Sequence, residues 1–285
     1  MPALPPESTV HDLAPLTAAA RAGHLGPDPA SLPVSVGFLT QQGARHAHRG
    51  RGYRNHVLSL RVAEAVGSCA VEPGEVDDGV ALDCVGRCVA ELLEHPAAAV
   101  RVAVLDAYLM HARPHATAAE AVTIPAGTSL HKSLRRAELV VDLLPLPPGR
   151  TVLVVGVVNS LLHHLRERGL SYVACDYGGG FTEWGEPIVD DAMAAVEDCD
   201  AILASGMTVG NATFWPLLAH ARRTGRPLVV FAQTGSAILP HLLDSGLTAL
   251  SAEPYPFFWL DGGPTTIYRY RRPTPAPIPG AEARL

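Results

Sequence analysis

Residues 151–155, 171–175 and 200–204 form nearly continuous apolar runs rich in Val, Leu and Ala, and each is followed by a segment of helical periodicity. Strands read this way when helices cover both faces, and alternation of strand and helix builds parallel βαβ units. Further units follow: a strand at 227–232, a helix at 236–243 and a terminal strand near 267–270. Their helices are expected at 159–168, 190–197 and 212–223. A sheet of this kind holds ligands at the carboxyl ends of its strands. Yet the first turn is Gly156-Val-Val-Asn-Ser160, where a dinucleotide site needs Gly-x-Gly-x-x-Gly. A ligand is expected, and NAD is not.

The 285 residues exceed the usual size of one domain. Ahead of the alternating half lies a different pattern, with strand-like alternation at 34–39 and 56–62. Helices are expected at 11–22, 83–93, 97–110 and 129–144. Pro145-Leu-Pro-Pro-Gly149 stops the last of these. The expected organisation is an N-terminal extension (1–30), a smaller α+β domain (31–146), a parallel-sheet domain (147–271) and a disordered proline-rich tail (272–285).

With 48% hydrophobic and 18% charged residues the composition is that of a folded α/β protein. A formal charge of −6 argues against a nucleic-acid surface, which needs clustered Lys and Arg. No run approaches the roughly 20 apolar residues that span a bilayer. With no signal-like N-terminus and five cysteines outside any disulfide framework, a cytoplasmic protein with reduced thiols is expected. Cys175, in an apolar strand, is expected to be buried and inert rather than nucleophilic.

The chain resembles the putative heavy-metal chelation family. In the first half the resemblance is carried by Gly86-Arg-Cys-Val-Ala-Glu-Leu-Leu93 and Ala103-Val-Leu-Asp-Ala-Tyr108. In the second it is carried by Val154-Val-Gly156, Gly206-Met-Thr-Val-Gly-Asn-Ala-Thr213 and Thr234-Gly-Ser236. It extends from about residue 34 to 271 and implies a Rossmann-like C-terminal domain behind an enolase-N-terminal-like one. It further implies metal handling or metallophore-linked biosynthesis without fixing a reaction. Two departures stand out: Asp106 occupies a position where the family's pattern tends to have Asn, and the loop Asp176-Tyr-Gly-Gly-Gly-Phe-Thr-Glu-Trp184 is unusual.

Candidate site residues gather at the strand ends. Asn159 and Ser160 begin the helix after the first strand, as ordinary N-caps or as a rim whose amide groups meet a ligand. Asp176 closes the second strand, where dinucleotide folds hold ribose hydroxyls and where an amine would be held equally well. Gly178, Gly179 and Gly180 permit a tight loop, over which Glu183 and Trp184 could close. Thr208, Asn211 and Thr213 after the third strand, and Thr234 with Ser236 after the fourth, make two polar helix starts suited to an anion or to mere capping.

The histidine clusters His46/His48, His111/His115 and His163/His164 form no closed zinc signature, nor does Cys84/Cys88. Arg45, Arg49, Arg51 and Arg54 surround Tyr53 in a glycine-rich loop that reads as a basic lid or as a solvated surface. Two functions stay open. One is a binder of a small polar, anionic or amino-acid-like ligand in the interdomain crevice, with a divalent metal as candidate cofactor. The other is an enzyme using S-adenosylmethionine or a nucleotide at the same strand ends. Beyond that ligand, a homodimer is the expected partner, suggested by the apolar segment Pro254–Trp259.

Overall fold

The computed structural model describes residues 12–45 and 52–272. Within them the chain forms a three-stranded antiparallel sheet and a seven-stranded mixed sheet. The small sheet is a meander of β1 (Val34–Arg45), β2 (Gly52–Val62) and β3 (Ala65–Val71). Helix α1 (Ala14–Arg21) precedes it, and α2 (Val80–Cys84), α3 (Val89–Leu92) and α4 (Ala98–Ala112) follow. The helix expected at 83–93 is two short ones, because Val85 is extended and Gly86 sits at φ +84°. Helix α4 lies across β3 at Gly67, where any Cβ would stand 2.0 Å from the Ala107 amide nitrogen.

Next come β4 (Glu120–Ile124), α5 (Ser129–Val141), β5 (Thr151–Val155), α6 (Asn159–Glu167) and β6 (Ser171–Cys175). The remainder is α7 (Ala192–Ala195), β7 (Ala201–Ser205), α8 (Met207–Gly210), α9 (Phe214–Thr224), β8 (Leu228–Ala232), β9 (Ala249–Ala252) and β10 (Thr265–Arg271). The large sheet runs β4-β10-β9-β8-β7-β5-β6. Strands β5 to β9 are parallel, and β10 and β4 add an antiparallel edge. The segment expected to be helical at 236–243 is instead a 3₁₀ turn at Leu239–Ser245. The expected boundary at residues 145–149 follows α5. Even so, β4 and α5 are joined to the large sheet, β4 through its pairing with β10 and α5 through its packing beside α6.

The parallel strands bury both faces, as their apolar runs require. Val152, Val154, Leu203 and Val229 face α5 and α6 through Ala137, Val140, Leu161 and Leu165. Leu153, Val155, Ile202 and Val230 face the other way into a core shared with α4, α9, β2 and β3. The small sheet and its helices are therefore fused to one face of the large sheet through a continuous apolar cluster.

Taken in chain order, the five parallel strands are arranged 2-1-3-4-5, the flavodoxin-like order. Its topological switch point lies between β5 and β7, where successive connections leave toward opposite faces. Among the described residues no helix is long and apolar enough to cross a membrane.

Candidate functional site

A crevice of about 1310 Å³ opens at the switch point, between the strand ends of the large sheet and the β2–β3 side of the small one. Close approach at its floor is possible only for glycine. A Cβ on Gly156, at φ +88°, would stand 2.7 Å from the Ser205 Cβ, and one on Gly206 would stand 2.6 Å from the Thr234 carbonyl oxygen.

Helix α6 starts in this floor without a side-chain cap. Its N-cap is Val158, and Asn159 and Ser160 are the first two helical residues rather than caps. A helix leaves its first N–H groups without intrahelical partners and carries a partial positive charge there. The Asn159 amide finds one in the phenolic oxygen of Tyr53, 3.0 Å away on β2. Asn159 itself is only 3% exposed, lines the crevice, and has its Oδ1 buried with no hydrogen-bond partner. An unmatched polar atom of this kind costs about 1–3 kcal/mol.

Asp176, at the end of β6, accepts from the Val157 amide at 3.1 Å and the Gly178 amide at 3.0 Å. Its carboxylate thus ties the β5–α6 turn to its own loop and remains on the crevice wall. Asp190 and Asp191 stand beside it, the latter accepting from the Met193 and Ala194 amides at the start of α7. This side of the crevice is acidic. Arg54 lies on the wall contributed by β2.

At the two threonine-rich starts the polar side chains are engaged within the protein. Thr208 donates to the Ser205 carbonyl at 2.6 Å, and Asn211 Oδ1 accepts from the amide and hydroxyl of Thr213. Thr234 accepts from the Ala70 amide at 2.8 Å, so its hydroxyl oxygen joins the two sheets. All four residues line the crevice.

Ser236 does not. It is buried with its hydroxyl 3.4 Å from His115 Nε2, whose Nδ1 meets the Tyr270 hydroxyl at 2.8 Å. Burial pushes the His115 pKa down to about 4, so the ring is neutral. Glu183 and Trp184 also fall outside the lining. The loop that carries them folds back along β6 through the Cys175↔Val189 and Phe181↔Pro187 bridges. There Trp184 lies under Arg166, with its ring centroid 4.5 Å from the guanidinium carbon. The expected lid is therefore an edge flap, anchored by Arg166 and Tyr172 on Glu186.

Several lining residues carry no motif. Arg136 of α5, Gln233 after β8, and Phe258 and Trp259 all belong to the crevice. The segment Pro254–Trp259, expected as an exposed dimer face, instead buries Phe257 and Phe258 to 1% and 5% exposure, Phe258 packing with Ile124, Leu139 and Ile267. Cys175 is 3% exposed and its thiol is pushed up to about 11 by burial, so it stays protonated. Among the described residues no group of three or more His, Cys, Asp and Glu could hold a metal ion. His46, His48, Arg49 and Arg51 lie outside the described residues.

Fold and crevice together define a doubly wound α/β protein with a ligand-sized site at its switch point. Residues 139–252 match the family described as Putative heavy-metal chelation, DUF364, which bears out the resemblance read from the second half. A DUF364 protein of unknown function from Desulfitobacterium hafniense DCB-2 matches with TM-score 0.56 and 14% identity, over 88% of this chain and 98% of its own. One from Pyrococcus horikoshii matches with TM-score 0.49 and 13% identity over the same shares. A mandelate racemase/muconate lactonizing protein from Herpetosiphon aurantiacus matches with TM-score 0.35 and 13% identity, over 77% of this chain and 88% of its own. No curated protein matches the sequence.

Proposed function

We propose that the crevice binds a small amino-acid-like molecule, with its carboxylate at the start of α6 and its ammonium group toward the Asp176 side. The observation that carries this reading is the uncapped α6 start, where Asn159 is buried with its Oδ1 unmatched. A carboxylate is stabilised by the N–H groups and positive end of the helix. An ammonium group supplies the donors that Asn159 Oδ1 and the acidic wall of Asp176, Asp190 and Asp191 accept. A crevice with a cation-favouring and an anion-favouring side discriminates for a zwitterion over either ion alone.

The family description points to metal-linked chemistry. The donor set among the described residues does not fit a metal ion held by the protein: Asp176 and Asp191 are each engaged by two backbone amides, and no group of three or more His, Cys, Asp and Glu is arranged to hold an ion. The ligand reading is therefore built without a metal step. Calorimetric titration with a panel of amino acids and their chelating derivatives tests it. Binding by at least one member is expected, weakened about tenfold or more by Asn159→Ala and by Asp176→Asn. Tenfold corresponds to about 1.4 kcal/mol, within the value of one lost buried hydrogen bond. Equal affinity in both variants refutes the reading. S-adenosylmethionine belongs in the panel: binding by adenosyl compounds alone, with no amino acid bound, favours the nucleotide-using enzyme instead.

A further inference from the structure

The end of the crevice lined by Phe231, Phe258 and Trp259 has its own hydrogen-bonding edge. Glu253, 1% exposed, accepts from Arg136 Nε at 2.7 Å and Arg136 Nη2 at 3.1 Å. The same Oε2 atom lies 3.5 Å from Gln233 Nε2, and Ser251 donates to Oε1 at 3.1 Å. One buried carboxylate thus fixes the Arg136 guanidinium and the Gln233 carboxamide side by side. The guanidinium also lies over two rings, its central carbon 4.5 Å from the Phe231 ring centroid and 5.5 Å from that of Phe258.

Both side chains line the crevice. Among the described residues, Arg136 Nη1 and Gln233 Oε1 make no hydrogen bond within the protein, leaving a donor and an acceptor on two side chains that meet the same carboxylate. Trp259 stacks on Phe258 at 27° between planes, and its Nε1–H is buried without an acceptor. Charge narrows the occupant. Glu253 already neutralises Arg136, so a second anion buried here would face a carboxylate with no net countercharge. Rigid aromatic walls favour a flat group, and the open donors and acceptor of Arg136, Trp259 and Gln233 favour the polar edge of a heterocycle over that of a hydrocarbon.

We infer that this end of the crevice is a subsite for a neutral planar heteroaromatic group whose edge carries both hydrogen-bond donors and acceptors. The ligand class is then a molecule with an amino-acid-like head at α6 and such a ring at Trp259. The pairing of the two ends rests on the reading under Proposed function, whereas the ring subsite stands on the Arg136–Gln233–Trp259 geometry. Glu253 is a positioning residue in this scheme.

Calorimetry on the full chain tests it with adenosine, guanosine and pterin as ring probes and L-methionine as a head probe. At least one ring probe is expected to bind, about tenfold or more weaker to Gln233→Leu and to Trp259→Leu. Gln233→Leu keeps the side chain's size at a partly exposed position, so it reports even where Trp259→Leu perturbs folding. The subsite is overturned if no ring probe binds, or if both leucine variants bind the rings as the parent does. Loss of L-methionine binding in Asn159→Ala but not in Gln233→Leu belongs to the head reading alone, so either half can fail while the other survives.

Discussion

Replacing Asp106 with Asn tests how the two sheets are joined. Asp106 is 1% exposed on α4, and its carboxylate accepts from the Ser68 amide of β3 at 2.9 Å and the Ala237 amide after β8 at 2.7 Å. Burial, partly offset by these N–H donors, pushes its pKa from 3.8 up to about 7. The folded chain therefore holds a proton between pH of about 4 and 7 that the unfolded chain releases. Stability contributed by this group is full below about pH 4 and lost as the pH rises to about 7. At about 1.4 kcal/mol per pH unit, the loss is about 4 kcal/mol.

Asn cannot ionise, so the Asp106→Asn variant lacks this slope. It offers one acceptor oxygen to two amides, however, and stranding the other costs about 1–3 kcal/mol. Urea unfolding followed by circular dichroism, at pH 5 and pH 8, separates these effects. The variant is expected to gain on the parent by about 3 kcal/mol between pH 5 and pH 8, and to exceed it at pH 8. Because the two sheets share one apolar cluster, a single transition is expected. A stability difference that does not change with pH refutes the reasoning.

Glu253→Gln leaves the Arg136 charge buried without its partner and is expected to cost about 3–5 kcal/mol in denaturant unfolding, whereas Arg136→Met combined with Glu253→Leu recovers most of it. A harmless single variant contradicts the pairing. Tyr53→Phe removes the acceptor of the Asn159 amide and should lower stability by about 1 kcal/mol in the same assay, with no loss indicating that water takes over. Gly67→Ala forces α4 away from β3, and its midpoint of thermal unfolding should fall by several degrees; an unchanged midpoint shows that the contact can yield.

Much of the large sheet was legible because parallel strands buried on both faces leave continuous apolar runs, as at Val152–Val155 and Ala201–Ala204. Less local features were not. Strand β3 turns back from β2 through Ala63, at φ +49°, without the Gly or Asn that usually marks such a turn. The pairing of β4 with β10 joins residues about 145 positions apart, which no periodicity reports. At the site, Asn159, Ser160 and Asp176 were legible from their positions at strand ends. Trp184 was assigned to a lid on sequence proximity, yet the bridge at Cys175↔Val189 carries its loop along β6 to Arg166. Arg136, Gln233 and Trp259 left no signal, since each comes from a different connection and only the folded sheet gathers them. Pro254–Trp259 looked exposed because its apolar run follows no period, although Phe257 and Phe258 are core residues.

A crystal structure of the chain with the amino-acid derivative that stabilises it most tests the central claim directly. The account predicts the ligand's carboxylate within hydrogen-bond distance of the Ser160 amide, and its ammonium group between the Asn159 carboxamide and Asp176. A ligand seated away from the α6 start, with Asn159 Oδ1 still unmatched, contradicts it.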